Sequence, residues 1–322
     1  MKKNIQRLLA AVLILAACLI VYHDFAFAEG KYNSGEARIT DAVESIDIRW
    51  VAGSVNVELH DADTVLLQET ADREIKKEDQ MRWRLEGKTL VVEFSKFRLF
   101  NFFTPKKALT VTLPRNLHLK NAKISATSAD ITVPEMTAEE LRLESTSGDI
   151  RVSAAAEKVF CEATSGDMTL KINGKAKNVK TGSTSGNQTL ILNETETAEM
   201  GSTSGKLTLA VEKAEKVRMG ATSGTILLDA GQVGTADLGS TSGNIGVKAK
   251  AFEKISVGAT SGDVTAELSA EPGFTARVDH TSGSFNNAIA LSKHGNEWSC
   301  GNGSGQLKIS TTSGDIQLKA LE

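Results

Sequence analysis

"VRMGATSGTILLDAG", residues 217–231, holds the triplet Thr222-Ser223-Gly224, and nearly the same words return about every nineteen residues through the second half of the chain. The copies begin at Thr127, Thr146, Thr164, Thr184, Thr203, Thr222, Thr241, Thr260, Thr281 and Thr312, each followed by Ser. Nine then carry Gly, and the first carries Ala129. Successive steps are 19, 18, 20, 19, 19, 19, 19, 21 and 31 residues. A period near 20 belongs to a solenoid rather than to an ordinary globular core.

Alignment on the Gly column shows what each unit is made of. Seven residues before it stand only apolar residues, among them Leu141, Val159, Val217 and Ile255. Five before it are Ile124, Leu143, Cys161, Thr181, Met200, Met219, Leu238, Val257, Val278 and Ile309, and the column between the two is mostly charged. That is period two, a strand with one buried face. After the triplet the second and fourth positions are again mostly apolar, as in Ile226 and Leu228. Each unit therefore reads as strand, Thr-Ser-Gly corner, strand. Gly suits the corner because it lacks Cβ and accepts positive φ. Coils stacked at roughly 4.8 Å would line the Thr and Ser hydroxyls into ladders.

The fold expected is all-β: a single elongated β-solenoid of about 19 residues per coil, with a more elaborate N-terminal end and capped ends. Residues 46–59, "IDIRWVAGSVNVEL", fit the same template, with Ile46 and Ile48 in the apolar columns, Gly53 at the corner, and Val55 and Val57 beyond it. Residues 71–81 are polar and read as a loop or short helix. Residues 83–94 alternate around Gly87-Lys88 like a hairpin, and residues 109–113 form a further strand ending at Pro114. The organisation expected is a leader at 1–28, an N-terminal β region at 29–118 and the regular array at 119–322.

The leader has Lys2, Lys3 and Arg7 before an apolar run of residues 8–21, then Ala26-Phe27-Ala28 as a small-x-small cleavage site. The run is shorter than the ~20 residues that span a bilayer. Export to the cell envelope, the cell surface or the medium is expected, by cleavage after Ala28, retention as an anchor, or lipidation of Cys18 within Leu15-Ala16-Ala17-Cys18. From Glu29 onward the chain carries 34 basic and 39 acidic residues. No basic run with interleaved aromatics appears, so nucleic acid is not an expected partner. Cys161 reads as a small core residue. About seven coils separate it from Cys300, so a bridge between them is not expected.

"WVAGSV" at 50–55, "STSGDIRV" at 145–152 and "ISTTSGDIQL" at 309–318 resemble the bacterial putative-adhesin domains of unknown function, built from repeated β-strands with TSGDI-like corners. The resemblance covers roughly residues 46–318. It implies a right-handed β-solenoid held outside the bacterial membrane, with adhesion as the suggested role. It supplies no catalytic residues to carry over.

Candidate chemistry is sparse. Asp130, Asp149, Asp167, Asp263 and Asp315 follow the corner glycine column, with Asn187 and Asn244 in the same place. Lys206, Thr225 and Ser284 interrupt the column and the nonapeptide calcium spacing is absent, so the reading is turn stabilisation rather than a metal. His280 takes the small-residue column before its triplet, as a cap or as a ligand. No nucleophile elbow or His-Glu-x-x-His occurs, no cofactor is implied, and a carbohydrate-active β-helix enzyme is the least favoured reading. One segment departs from the solenoid pattern: "FRLFNFF", residues 97–103, gathers Phe97, Phe100, Phe102 and Phe103 with Lys96, Arg98, Lys106 and Lys107 around them. Aromatics beside positive charge suit a membrane interface or an apolar partner groove, or else a hydrophobic cap. The functional expectation is a non-enzymatic extracytoplasmic scaffold with an envelope, surface or protein ligand. The alternative is a membrane-associated regulatory protein that senses envelope stress through that segment.

Overall fold

The structure, a computed structural model, describes residues 31–95 and 105–321. These fall into two compact units, 31–173 and 174–321, and the fold is a β-solenoid of consecutive parallel strands. Cys18, Phe97, Phe100, Phe102 and Phe103 lie outside the described residues.

The first unit contains β1 (Asn33–Ser34), β2 (Ala37–Ile39), β3 (Ser45–His60), β4 (Val65–Ala71), a 3-10 turn at Lys77–Asp79, β5 (Arg82–Glu86), β6 (Thr89–Glu93), β7 (Lys107–Pro114), β8 (His118–Val133), β9 (Thr137–Ser147) and β10 (Ile150–Ser165). β11 (Met168–Ser185) leads into the second unit, which continues with β12 (Gln188–Ser204), β13 (Leu207–Ser223), β14 (Ile226–Ser242), β15 (Ile245–Ser261), β16 (Val264–Leu268), β17 (Phe274–Ser282), β18 (Phe285–Asn287), β19 (Ser292–His294), β20 (Glu297–Ser299), β21 (Gly305–Ser313) and β22 (Ile316–Ala320).

Register explains the repeat. Leu207 pairs with Ile226, and Ile226 with Ile245, in parallel and without a slip, so 19 residues carry the chain through one circuit. Equivalent side chains therefore stack in rows. Inward-facing positions step by two along Leu207, Leu209 and Val211, then by three to Ala214 and again to Val217. The pairing omits Glu212, Glu215 and Thr222, one at each change of direction. Two of these bends lie inside what is assigned as continuous strand. Only the third, at the triplet, interrupts it. The apolar columns read from the sequence are the core: Val217, Leu207, Leu209, Ile226 and Ile255 are fully buried.

One coil carries polar residues in two of those columns, and they satisfy each other. The Thr181 hydroxyl donates to Gln188 Oε1 at 2.6 Å, and Gln188 Nε2 donates to Ser183 Oγ and to the Gly201 carbonyl, both at 2.7 Å. Mutual hydrogen bonding makes such burial tolerable.

The corner glycines are required by backbone contact. A Cβ on Gly243, whose φ is +148°, would lie 2.1 Å from the Gly224 carbonyl oxygen, and one on Gly148 would lie 2.3 Å from that of Ala129. Ala129 itself takes no positive φ, and β8 runs through it unbroken.

At the start of the first unit, spatial order departs from sequence order. β3 lies between β8 on one side and a coil made of β6 and β7 on the other, with Gly53 beside both Ala129 and Lys107. The 83–94 hairpin and the 109–113 strand are found as expected, as β5–β6 and within β7. Antiparallel β5 and β4 cover the free edges of β6 and β7, and the short β1 and β2 finish the sheet. Edges two or three residues long offer little to a foreign strand.

Gly243→Ala should lower stability by roughly 2–4 kcal/mol, because it adds both a clash and an unfavourable φ. Gly220→Ala, where a Cβ meets nothing within 4 Å, should change it by less than about 0.5 kcal/mol. Denaturant melts of the two variants measure the contrast.

Candidate functional site

The start of the first unit concentrates the buried charge. Lys107 occupies the corner position of the β6–β7 coil, and its side chain is 0% exposed, paired at 2.5 Å with Glu69, which is 3% exposed. The ammonium also donates to the Asp79 carbonyl at 2.9 Å and to the Phe94 carbonyl. Its three protons thus meet three oxygens from three segments. Glu69 in turn accepts the Met81 amide on both carboxylate oxygens at 3.0 Å. Burial pulls the Lys107 pKa below the ordinary lysine value, and the Glu69 carboxylate opposes that shift.

Aromatic rings enclose the pair. Trp50 stands in the column that holds Ala126 in the adjoining coil, its indole N–H donates to the Lys107 carbonyl at 3.0 Å, and its ring meets Phe94 edge-on at 4.9 Å. Lys107 therefore does not belong to the positive fringe expected around the 97–103 segment: its charge is consumed inside the cap. Lys106 beside it is exposed. The described stems of that segment, Phe94 and Pro105, are both buried.

A second cluster lies on β5 and β6. Glu93, 4% exposed, accepts the Tyr32 hydroxyl at 2.9 Å and Arg82 Nε at 2.6 Å, with Arg49 at 3.6 Å. Arg82 and Arg84 stack over the Tyr32 ring at 4.1 and 4.4 Å. Burial and the neighbouring Glu93 push the Tyr32 phenol up to about 12.

The acidic column after the corner works as a turn device. The Asp149 amide donates to Asp130 Oδ1 at 2.8 Å and the Asp167 amide to Asp149 Oδ1 at 3.0 Å. In the second unit the Lys206 amide donates to Asn187 Oδ1 at 3.1 Å and the Asp263 amide to Asn244 Oδ1 at 2.9 Å. Each side chain thus satisfies the amide of its counterpart one coil on. The inter-coil ladder expected of the Thr and Ser hydroxyls is carried by this column instead, because its amides turn away from the regular pairing and need an acceptor. The Asp167 amide holds the Asp149 carboxyl below the usual range, with Arg151 adding to the effect, and the Ser284 amide does the same for Asp315. Among the described residues no group of three or more His, Cys, Asp and Glu is placed to hold a metal ion.

The triplet hydroxyls face outward. Thr222, Ser223, Thr241, Ser242, Thr260 and Ser261 are all exposed, in two parallel rows along one ridge. His280 is exposed on β17, in register with Thr311. Cys161 is buried against Met168, its thiol pushed up by burial, and both Cys161 and Cys300 are free. The buried Lys107–Glu69 pair was not legible in the sequence. Its one sequence signal is a lysine that takes the corner position where the other coils carry glycine or, in β8, Ala129.

A family model described as Toastrack DUF4097 matches residues 31–177 and 156–319. No curated protein matches the chain. Similar solved structures include a putative adhesin from Parabacteroides merdae, 17% identical over 75% of this chain and 97% of that one, with a TM-score of 0.45. A putative adhesin from Bacteroides fragilis is 13% identical over 90% and 98%, with a TM-score of 0.32. A putative lipid binding protein from Parabacteroides distasonis is 16% identical over 90% and 97%, with a TM-score of 0.43.

Two substitutions test the interactions described above. Lys107→Met, which leaves Glu69 buried and unpaired, should cost about 3–5 kcal/mol in chemical denaturation, and adding Glu69→Gln should recover roughly half of the loss. Asp149→Ala should cost roughly 1 kcal/mol at neutral pH, whereas Asp149→Asn keeps the acceptor and should be nearly neutral. Because the folded pKa of Asp149 lies below its unfolded value, the stabilisation is present above the ordinary carboxylate range and is lost as pH falls through the folded pKa. Acid melts of Asp149→Asn should show a correspondingly shallower fall.

Proposed function

The chain belongs to the Toastrack family, DUF4097, and from that premise we propose that it is a non-enzymatic binding scaffold outside the bacterial cell membrane. Its solenoid walls present rows of identical side chains to a surface or protein ligand. The observation that carries this reading is the unslipped register of β12 to β15, which turns one triplet per coil into exposed rows of hydroxyls on a backbone bonded along both edges. Repeated weak contacts on a rigid spacing gain affinity through effective concentration. The side chains along the ridge have the chemistry of binding, with hydroxyl donors and acceptors.

A second reading rests on the first unit. Tyr32, among the first described residues, packs beside β5 and β6, so the chain enters that unit close to Phe94, the stem of the aromatic 97–103 segment. A chain tethered through its leader would hold that segment near the membrane, as a regulatory contact in envelope stress.

Fractionation of the host with intact-mass analysis tests the location, and recovery of the protein in the cytoplasm with its leader intact would overturn both readings. For the scaffold, the exposed Thr222, Thr241 and Thr260 changed together to Ala should reduce binding to host cell surfaces at least tenfold with little change in melting temperature. Turnover of a polysaccharide in a cleavage screen would instead make it an enzyme. Loss of liposome binding when Phe97, Phe100, Phe102 and Phe103 become Ser would favour the membrane-associated reading.

A further inference from the structure

The last coil in sequence is not the last coil in space. β21 and β22 lie between β15–β16 on one side and β17–β18 on the other, so Ser313 pairs with Ser261 and with Ser282, and Ile316 with Val264 and with Phe285. The chain builds the outermost coil first, doubles back through the β19–β20 hairpin, and inserts its final coil into the gap left behind. We propose that this coil, residues 305–320, is exchangeable, and that its slot accepts the same coil of a second copy of the chain to give a swapped dimer.

Three observations support the proposal. The contacts that seat the coil are its own: Gly262 N–H to the Ser313 carbonyl at 3.0 Å, Gly314 N–H to the Ser282 carbonyl at 3.2 Å, Asp315 N–H to Asp263 Oδ1 at 2.8 Å, and the Ser284 amide to Asp315 Oδ1 at 2.8 Å. A coil supplied by another copy would make every one of them. Both neighbours meet it in the same parallel register, so the slot selects a coil by its TSGD corner and apolar columns and not by its connection. Lastly, its hinge is short and bent. Cys300 and Phe274 exchange backbone hydrogen bonds at 3.0 and 3.2 Å on one side of β17, and Gly305 donates to the Gly273 carbonyl at 3.2 Å on the other. The intervening Gly301 and Gly303 hold φ of +54° and +69°. Straightening residues 301–304 would release the bend and reach about 13 Å toward a second copy. A short bent hinge favours exchange, and mass action favours it at high concentration.

The test uses full chains, native mass spectrometry, light scattering and hydrogen exchange. Deleting Asn302 and Gly303 leaves too few residues to turn around β17, so the dimer should become the main species, with amides of 306–320 as protected as in the wild-type monomer. A monomer would overturn the proposal, whether its last coil is protected or exposed. If the deletion variant does not fold, refolding isotopically labelled and unlabelled wild-type chains together at high concentration decides the matter. Mixed dimers that survive dilution for hours support exchange, and their absence overturns it. Inserting four Gly and Ser residues after Gly303 should suppress those mixed dimers.

Discussion

Close approach of backbone to backbone at the corner is the constraint from which the rest of the solenoid follows. Wherever a glycine stacks on the carbonyl of the coil before it, a Cβ would lie 2.0–2.3 Å from that oxygen at Gly224, Gly243, Gly262 and Gly314. No side chain fits there, so the coils can keep their spacing through the bend only if that residue has none. Once the spacing is fixed, every other column falls into register, and period-two burial along the strands fills the interior with Leu, Ile, Val and Met. The corner also leaves one amide per coil without a strand partner, and the Asp or Asn after the glycine supplies the missing oxygen from the coil before. Thus the tripeptide and the acidic column that follows it are two parts of one solution to a packing problem.

Such a stack must end somewhere, and an open parallel edge invites association. Each unit deals with this in its own way. The first replaces the small inward residue by Trp50, buries Lys107 and Glu69 beneath it, and covers the outer coil with antiparallel strands. The burial of that pair is tolerable because every polar atom of the ammonium is matched, which also ties the 3-10 turn and the β6 end to the sheet. The second unit carries polar, exposed His280 and Asn287 on its outermost coil and pairs β20 antiparallel to β17, with Trp298 opposite Ala276.

Much of this was legible in the residues. The spacing of Thr-Ser-Gly fixed the coil length, the two apolar columns marked the core, and residues 46–59 were recognisable as an early unit because Ile46, Ile48, Gly53, Val55 and Val57 fall where the template puts them. The two other bends of each coil were not legible, since they fall at Glu212 and Glu215 in one coil and at Gly231 and Gly234 in the next, with no shared residue type. Insertion of the last coil was hidden for a different reason. "ISTTSGDIQL" is as good a copy as any other, and only the step of 31 residues hints that the chain travels elsewhere before returning. Lys107 read as surface charge because a lysine near phenylalanines is usually solvated, and its carboxylate partner lies 38 positions away in sequence.

The corner between Asp263 and Asp315 has a consequence for how such chains change over generations. Those two residues are 52 positions apart, yet they bond as Asn244 and Asp263 do at a separation of 19. Neighbours recognise each other by geometry alone, and the length of the connection between them does not enter. A gene that gains or loses one 19-residue word therefore leaves every remaining corner with a partner, provided the two ends keep their caps. The number of coils is accordingly open to variation by simple duplication, while the residues of the caps are fixed by chemistry that no repeat supplies.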